Sequence, residues 1–343
     1  MARKRKTTPT TTTTTTTPTT VTPIPAPATV RRGTRMGISA GAYLPARVID
    51  AAVDLGVSWV RCSVESGWAN ALQSLTASVD YAHRKGIKVI HSVQNSGHSY
   101  NDPAANDRLV TFAVDTVRVA HVDCVEVGNE WNHGMFWKSP DVNIVPPLAQ
   151  ANLSTRIGSA VRTAYPLVPV ITNGMSPEAE PLNPWTWWPT FLDAALPAQK
   201  ATGWNGIGLH GFCYPELATT NPARWNPLMQ VPTIVQQSRD RGITTDVWIT
   251  EIGAPGFATN APVVRGIALT EQRQLECWQA YIDVIHDLER GGIRIPNLEV
   301  VTAFDGDSAT TGVELGFGLI RADLTRKPAW ALVRSFADEP VPA

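Results

Sequence analysis

The sequence predicts a single (β/α)8 barrel, the TIM-barrel fold, preceded by a disordered tail, and three observations support this. Short β-rich apolar runs recur eight times along the chain, and a stretch with helical spacing of apolar residues follows each run. Most of the runs are continuously apolar, as expected for a parallel sheet that is covered by helices. Eight such units in about 300 residues fit a closed barrel better than an open sheet.

Each element follows from its own local pattern. The predicted strands are residues 35–39, 58–63, 87–92, 124–128, 168–173, 206–210, 247–251 and 298–304. The predicted helices are residues 45–55, 72–85, 107–120, 149–165, 189–198, 232–241, 271–290 and 328–336. Gly56 and Gly86 follow the first two helices, and Gly291 follows the seventh. Glycine is a common residue just after a helix because it adopts left-handed backbone angles without strain.

An open doubly wound sheet is the alternative fold. Its usual mark is a glycine-rich phosphate turn after the first strand. The run Gly37-Ile38-Ser39-Ala40-Gly41 does not match GxGxxG, so the barrel is favoured. In a (β/α)8 barrel the active site lies at the C-terminal ends of the strands. The polar residues that come directly after each strand are therefore the candidate functional residues.

Residues 1–34 form the predicted tail, and residues 35–343 form the barrel domain. Between Thr7 and Thr29 the chain is almost only threonine and proline, a composition that stays extended and solvated. The basic start is followed by threonine, whereas a Sec signal needs an apolar segment there. No stretch approaches about 18 consecutive apolar residues, so we predict no transmembrane segment. The cellular location is left open.

Charge is distributed unevenly between the tail and the body. Residues 1–35 hold seven Lys or Arg and no acid, which leaves 22 of the 29 basic residues against all 30 acidic residues. An acidic body argues against a nucleic-acid groove on the folded domain.

The four cysteines show no CxxC and no Cys/His cluster at metal-ligand spacing; they are Cys62, Cys124, Cys213 and Cys277. The strand ends also lack the converging His, Asp and Glu set that a metal-dependent barrel enzyme needs. We therefore predict neither a metal nor a cofactor.

Two glutamates stand at the C-terminal edges of the fourth and seventh predicted strands. Glu130 ends the run Gly128-Asn129-Glu130, and Glu251 follows Thr250. Strands four and seven lie across the barrel mouth from each other, so both carboxylates can face one point. Two carboxylates about 5–5.5 Å apart are what a retaining glycosidase requires. One attacks the anomeric carbon, and the other protonates the leaving oxygen and later activates water.

These two motifs resemble the retaining (β/α)8 glycoside hydrolases of clan A, in particular the cellulase-like and β-xylosidase-like families. The similarity covers about residues 36–338. It implies that Glu130 is the acid/base and Glu251 the nucleophile. Asn129 matches the clan's asparagine that hydrogen-bonds the sugar 2-hydroxyl. Arg61 resembles the clan's arginine near the nucleophile, and a permanently charged guanidinium would hold Glu251 ionised.

Strands six and eight depart from the clan's pattern. The clan often shows His-x-Tyr after strand six, whereas here His210 is followed by Phe212 at the tyrosine position and then by Tyr214. We expect His210 and Tyr214 to reach the site if this strand bulges. Phe304 stands where the resemblance implies a tryptophan floor for the sugar.

Twelve tryptophans are a high count, and several of them follow strands four and five. Sugar rings expose C–H faces that stack on flat aromatic surfaces. Trp131 and Trp188 are therefore predicted substrate contacts.

Two functions of different classes fit these observations. The first is a retaining glycoside hydrolase that cleaves a β-linked poly- or oligosaccharide by double displacement, with a cell-envelope glycan among the candidate substrates. The second is a carbohydrate-binding or adhesion protein on an inactive barrel, such as a component of a phage particle. Loss of a carboxylate would mark the second, and both carboxylates are present. In either case the tail is interpreted as a tether to a larger assembly.

Overall fold

The computed structural model describes residues 30–94, 99–131, 146–176, 191–193, 204–220, 226–243, 245–306 and 312–341. Eight parallel strands close into a barrel in which each strand pairs with the next one along the chain and the last pairs with the first. The predicted (β/α)8 fold is confirmed. The predicted tail lies outside the described residues from position 1 to position 29.

The barrel strands, numbered one to eight in chain order, are Met36–Ser39, Trp59–Cys62, Lys88–Val93, Cys124–Asn129, Val170–Gly174, Gly206–His210, Asp246–Ile252 and Leu298–Val300. The described α-helices are Ala46–Leu55, Ala71–Arg84, Pro103–Arg118, Pro147–Ala164, Pro227–Asp240, Glu271–Arg290 and Pro328–Asp338. A hairpin of Val263–Val264 with Ile267–Ala268 extends the loop after strand seven. The predicted helix 189–198 is described only at residues 191–193, which are helical.

Two helices begin earlier than the apolar pattern predicts, because a capping residue starts each of them. Asp102 accepts hydrogen bonds from the amides of Ala104 and Ala105 and is followed by a proline in the first turn, so this helix begins at Pro103 rather than at residue 107. Asn226 caps the helix Pro227–Asp240, which was predicted to begin at residue 232. None of the described helices is both long enough and apolar enough to cross a membrane.

Residues 30–34 belong to the folded domain, so the predicted tail extends too far. Arg32 is buried and donates two hydrogen bonds of 2.8 Å to the Glu289 carboxylate. The Arg32 amide also donates to the Glu339 carbonyl at 2.8 Å, and Arg31 pairs with Asp338. Charge counting assigned these arginines to the tail because their acidic partners come from the C-terminal third of the chain.

The barrel interior has an apolar floor with a polar layer above it. The floor is formed by Trp59, Ile90, Cys124, Ile171 and Trp248. Two positions further along strands two, three and four stand Arg61, Ser92 and Glu126, all fully buried. Side chains alternate along a strand with period two, so these polar residues occupy the same face as the floor. All four cysteines are buried and free.

Glu299 of strand eight is buried within this polar layer. Burial raises the pKa of Glu299 to about 8, against the lowering effects of the Asn297 hydrogen bond and of Arg61. The Asn297 amide donates to Glu299 at 2.7 Å. The carboxyl group is therefore neutral below about pH 8 in the folded protein.

We expect the variant Glu299→Gln to change how stability depends on pH. The folded state holds this proton to a higher pH than the unfolded chain does, so Glu299 makes wild-type stability fall between its ordinary pKa of 4.5 and about 8. The amide cannot ionise. As the pH rises across this window, the free energy of unfolding of the variant should increase relative to that of wild type by up to about 1.4 kcal/mol per pH unit. Urea unfolding at three pH values measures this, and an equal difference at all three would contradict it.

Candidate active site

A β-bulge in strand seven brings Glu251 to the cavity at the barrel mouth. Leu209 pairs with Ile249, but the next residue, His210, pairs with Glu251, so strand seven contains one extra residue at Thr250. The pairing with strand eight shifts at the same place. One extra residue reverses the alternation of the side chains, and bulges beside active sites commonly redirect a side chain in this way. The bulge was expected in strand six and is found in strand seven.

Strand four ends in a tight turn that carries Glu130. Gly128 has φ +87°, and a Cβ at this position would collide with the Trp131 ring, so only glycine fits. Glu130 itself has φ +44°, an uncommon conformation for a residue with a side chain. Its amide donates to the Gly174 carbonyl at 2.9 Å, and this bond holds the conformation. Such backbone strain is a common mark of functional sites.

The two glutamates meet at His210. Glu130, Glu251 and His210 each present one atom within 4.8 Å of the other two. His210 Nδ1 lies 2.6 Å from Glu130 Oε1 and 3.6 Å from Glu251 Oε2. The carboxylates are therefore close enough for both to reach one sugar carbon and its leaving oxygen.

His210 is fully buried beneath the carboxylates, so it is not placed as the sugar contact that the sequence predicted. Its ring packs on Gly174, where a Cβ would come within 2.2 Å of Nε2. Burial alone would lower the pKa of His210, but the charges of Glu251 and Glu130 outweigh burial and raise it. The hydrogen bond of 2.6 Å from His210 fixes the orientation of the Glu130 carboxylate.

Arg61 joins the second carboxylate to the polar layer below. Its Nη1 donates to Glu251 Oε1 at 2.6 Å, its Nη2 to Asn129 Oδ1 at 2.7 Å, and its Nε to Glu126 at 2.5 Å. Nη1 also lies 3.2 Å from the Ser39 hydroxyl. Burial opposes the charge of Arg61, but Glu126 and Glu251 raise its pKa, so the guanidinium stays charged. Arg61 was predicted as a substrate contact, but it is fully buried and acts through Glu251 and Asn129.

Glu126 is a partner of Arg61 that sequence reasoning missed. It is fully buried in strand four, four residues before Glu130. A glutamate inside an otherwise apolar strand indicates a buried partner of opposite charge, because an unpaired buried carboxylate is very costly. That signal was present, but the identity of the partner depends on barrel closure.

A cavity of about 440 Å³ opens above these residues at the C-terminal ends of the strands. Both glutamates and Asn129 line it, and side chains from several loops complete the wall; the latter include Ser63, Glu65, Trp68, Gln94, Ser176, Phe212, Glu314 and Phe317. Tyr214 also lines the cavity and packs edge-on against Phe317 with ring centroids 5.1 Å apart, and its role as a substrate contact stays a prediction.

Two predicted aromatic contacts are placed elsewhere. Trp131 is 1% exposed and packs against Gly128, so it supports the strand-four turn and offers no face to a sugar. Phe304 is 8% exposed and packs under the Arg47 guanidinium, 5.1 Å from the ring centroid. The predicted contact Trp188 lies outside the described residues.

The prediction that the strand ends lack a converging set of His, Asp and Glu side chains is wrong. Within the described residues, Glu130, His210 and Glu251 form the one group of three side chains with spacing that could hold a metal ion. The Arg61 guanidinium already neutralises Glu251 at 2.6 Å. A divalent cation at this place would have to approach a fixed positive charge, which disfavours binding. The predicted absence of a metal stays a prediction.

Comparisons with known proteins provide a fold and no sequence relative. No family model matches the chain, and no curated protein matches its sequence. Among solved structures, it resembles a family 39 glycoside hydrolase from Bacteroides cellulosilyticus WH2, with TM-score 0.62 and 15% identity over 91% of this chain and 65% of that one. The chain therefore spans just under two thirds of that protein.

Two further structures are matched over most of their own length. GH5_18 from Streptomyces cattleya, in complex with GlcNAc, has TM-score 0.62 and 18% identity, covering 92% of this chain and 83% of that one. A β-glucosidase from Exiguobacterium marinum has TM-score 0.63 and 13% identity, covering 90% and 98%. This chain has the fold of these glycoside hydrolases. The resemblance to the clan A barrel is thereby confirmed at the level of the fold.

Proposed function

We propose that this protein is a retaining β-glycoside hydrolase in which Glu251 is the nucleophile and Glu130 the acid/base. One observation carries the proposal: an oxygen of each carboxylate lies within 4.8 Å of an oxygen of the other, but the two carboxylates have different hydrogen-bond partners. Arg61 bonds Glu251 at 2.6 Å, and His210 bonds Glu130 at 2.6 Å. A permanent cation favours an ionised nucleophile, while a titratable imidazole suits a group that exchanges a proton. The glycoside hydrolases that share the fold support the same function.

On this proposal, the reaction proceeds in the two steps of a double displacement. Glu251 Oε1 is held by Arg61, which leaves Oε2 to attack the anomeric carbon. The C–O bond to the leaving group breaks as Glu130 donates its proton to the leaving oxygen. Glu130, now ionised, then takes a proton from water, the water oxygen attacks the anomeric carbon, and the ester to Glu251 breaks. Arg61 holds Asn129 Oδ1, so the Asn129 amide nitrogen is the donor available to a sugar hydroxyl.

The cavity favours a neutral sugar over an acidic one. Its described lining carries four carboxylates, namely Glu65, Glu130, Glu251 and Glu314, and contains no Lys or Arg. The carboxylate of a uronic acid would enter this cavity without a Lys or Arg among the described lining residues to pair with, and an unpaired charge is costly to bury. We therefore propose a neutral β-glycoside as the substrate class.

Trapping the glycosyl-enzyme tests the proposal. Wild type and Glu251→Gln are treated with 2-deoxy-2-fluoro glycosyl fluorides of the gluco, manno and xylo series, with and without EDTA, and intact mass is recorded. We expect one of the probes to add the mass of its fluorosugar to wild type only, on the peptide that contains Glu251, with no effect of EDTA. Binding of glycans without any adduct would instead favour the carbohydrate-binding function. If the experiment yields no adduct and no glycan binding, the proposal is rejected.

A further inference from the structure

Two aromatic side chains that face solvent stack on each other beside the cavity. Tyr43 and Trp68 have ring centroids 4.9 Å apart and an interplanar angle of 23°. Tyr43 is 59% exposed and Trp68 is 36% exposed. They are the two aromatic residues among the exposed large hydrophobic side chains of the described chain. Exposing large aromatic surface is unfavourable, so a pair of this kind indicates a surface that becomes covered.

The pair is continuous with the wall of the cavity. Trp68 lines the cavity, and so do Gly41 and Ala42, which directly precede Tyr43 in the loop after strand one. A molecule that occupies the cavity and extends beyond it on this side therefore meets Trp68. The occupant of the aromatic surface is thus a continuation of whatever binds between the two glutamates.

Backbone hydrogen bonds hold the two loops in place. The Ser63 amide donates to the Gly41 carbonyl at 2.8 Å, which joins the loop after strand two to the loop after strand one. The Ser66 amide donates to the Gln94 carbonyl at 3.2 Å, which ties the second loop to the residue that directly follows strand three. Leu44, next to Tyr43, is buried in the core. A platform fixed in this way loses little conformational entropy when a ligand covers it.

Resting on the proposed function, we propose that Trp68, backed by Tyr43, is a stacking platform for a second sugar ring. The ring belongs to the same β-linked oligosaccharide whose neighbouring unit lies between Glu130 and Glu251. The C–H face of a neutral pyranose stacks on an aromatic plane. The protein therefore selects substrates of at least two sugar units, and Trp68 determines this preference.

Chain-length kinetics test the platform. The substrates are p-nitrophenyl β-glucoside and β-mannoside, together with cello- and manno-oligosaccharides of two to five units. We expect Trp68→Ala to lower kcat/KM about tenfold more on the oligosaccharides than on the monosaccharide aryl glycosides, mainly through KM. Trp68→Phe should retain most of the preference. Tyr81→Ala, which removes an aromatic residue from the helix layer, should not alter the ratio between long and short substrates.

A binding measurement separates failure of the platform from failure of the proposed function. Isothermal titration calorimetry in the Glu251→Gln background measures the affinity for the same oligosaccharides and for the monosaccharide, and it requires no turnover. We expect Trp68→Ala to weaken binding about tenfold for oligosaccharides and to leave binding of the monosaccharide unchanged. Equal losses for all lengths, or no loss at any length, overturn the platform. If the platform binds glycan but wild type cleaves none, the proposed hydrolase function fails and the platform stands.

Discussion

Replacing Glu251 by alanine is expected to abolish glycoside turnover, with kcat falling on the order of 10⁴-fold or more. On the proposed mechanism the variant loses the atom that forms the covalent intermediate, and no other described carboxylate of the cavity is held by Arg61. Azide, a small anionic nucleophile, should restore turnover of activated substrates and give a glycosyl azide of inverted configuration. Initial rates with dinitrophenyl glycosides and NMR of the product measure both effects.

In the companion variant Glu130→Ala, the loss of activity should depend on the leaving group of the substrate. Substrates with dinitrophenolate as the leaving group need no proton, so their bond cleavage should suffer little, whereas oligosaccharides should lose orders of magnitude. Azide should here give a product of retained configuration. Glu314→Gln provides a matched control, because it removes a cavity carboxylate that the proposed mechanism does not use. A loss as large as that of Glu251→Ala in this control would contradict the assignment of roles.

Replacing Arg61 by methionine is expected to cost about 3–5 kcal/mol of folding stability and most of the activity. Both effects arise because Arg61 compensates the fully buried Glu126 at 2.5 Å and the partly buried Glu251 at 2.6 Å. Removing the cation leaves a buried charge without its partner, which is far more costly than losing a surface pair. Arg61→Lys keeps the charge but not the fork of donors, so it should recover only part of the stability.

Urea unfolding at neutral pH measures the loss, with activity followed in parallel. The control is Arg118→Met, which breaks an exposed pair with Asp115 at 2.8 Å and should cost less than about 1 kcal/mol. An Arg61→Met protein as stable as wild type would show that Glu126 and Glu251 do not need a cation, and the account of the polar layer would be wrong.

Local signals were sufficient for the fold. The apolar runs predict strands because each must be buried on both faces, and this requirement acts residue by residue. The helix starts at Pro103 and Pro227 were misplaced although their signals, an Asp or Asn before a proline, stand in the sequence. The positions of Glu130 and Glu251 after strands four and seven were likewise readable, because barrel geometry places strand ends at one mouth.

Contacts between distant segments lay beyond this reasoning. Trp131 follows strand four as a sugar-stacking residue would, but the φ of Gly128 turns the ring into the core. The sequence pattern assigned Arg32 to the basic tail, whereas in the folded chain Arg32 is paired with Glu289, which is distant in sequence. The role of residues 1–29 as a tether stays a prediction.

The sequence by itself determined the barrel, the order of its elements and the two carboxylates at its mouth, since these follow from burial patterns repeated along the chain. Only the tertiary structure decided how the carboxylates are directed and which residues hold them. The direction of Glu251 depends on the bulge at Thr250, and that bulge exists through pairing with strands six and eight together. The partners Arg61 and His210 come from strands that meet only when the barrel closes. The alternation of apolar and polar side chains is visible in the local sequence, but the partner of a buried charge is determined only when distant strands come together in the closed barrel.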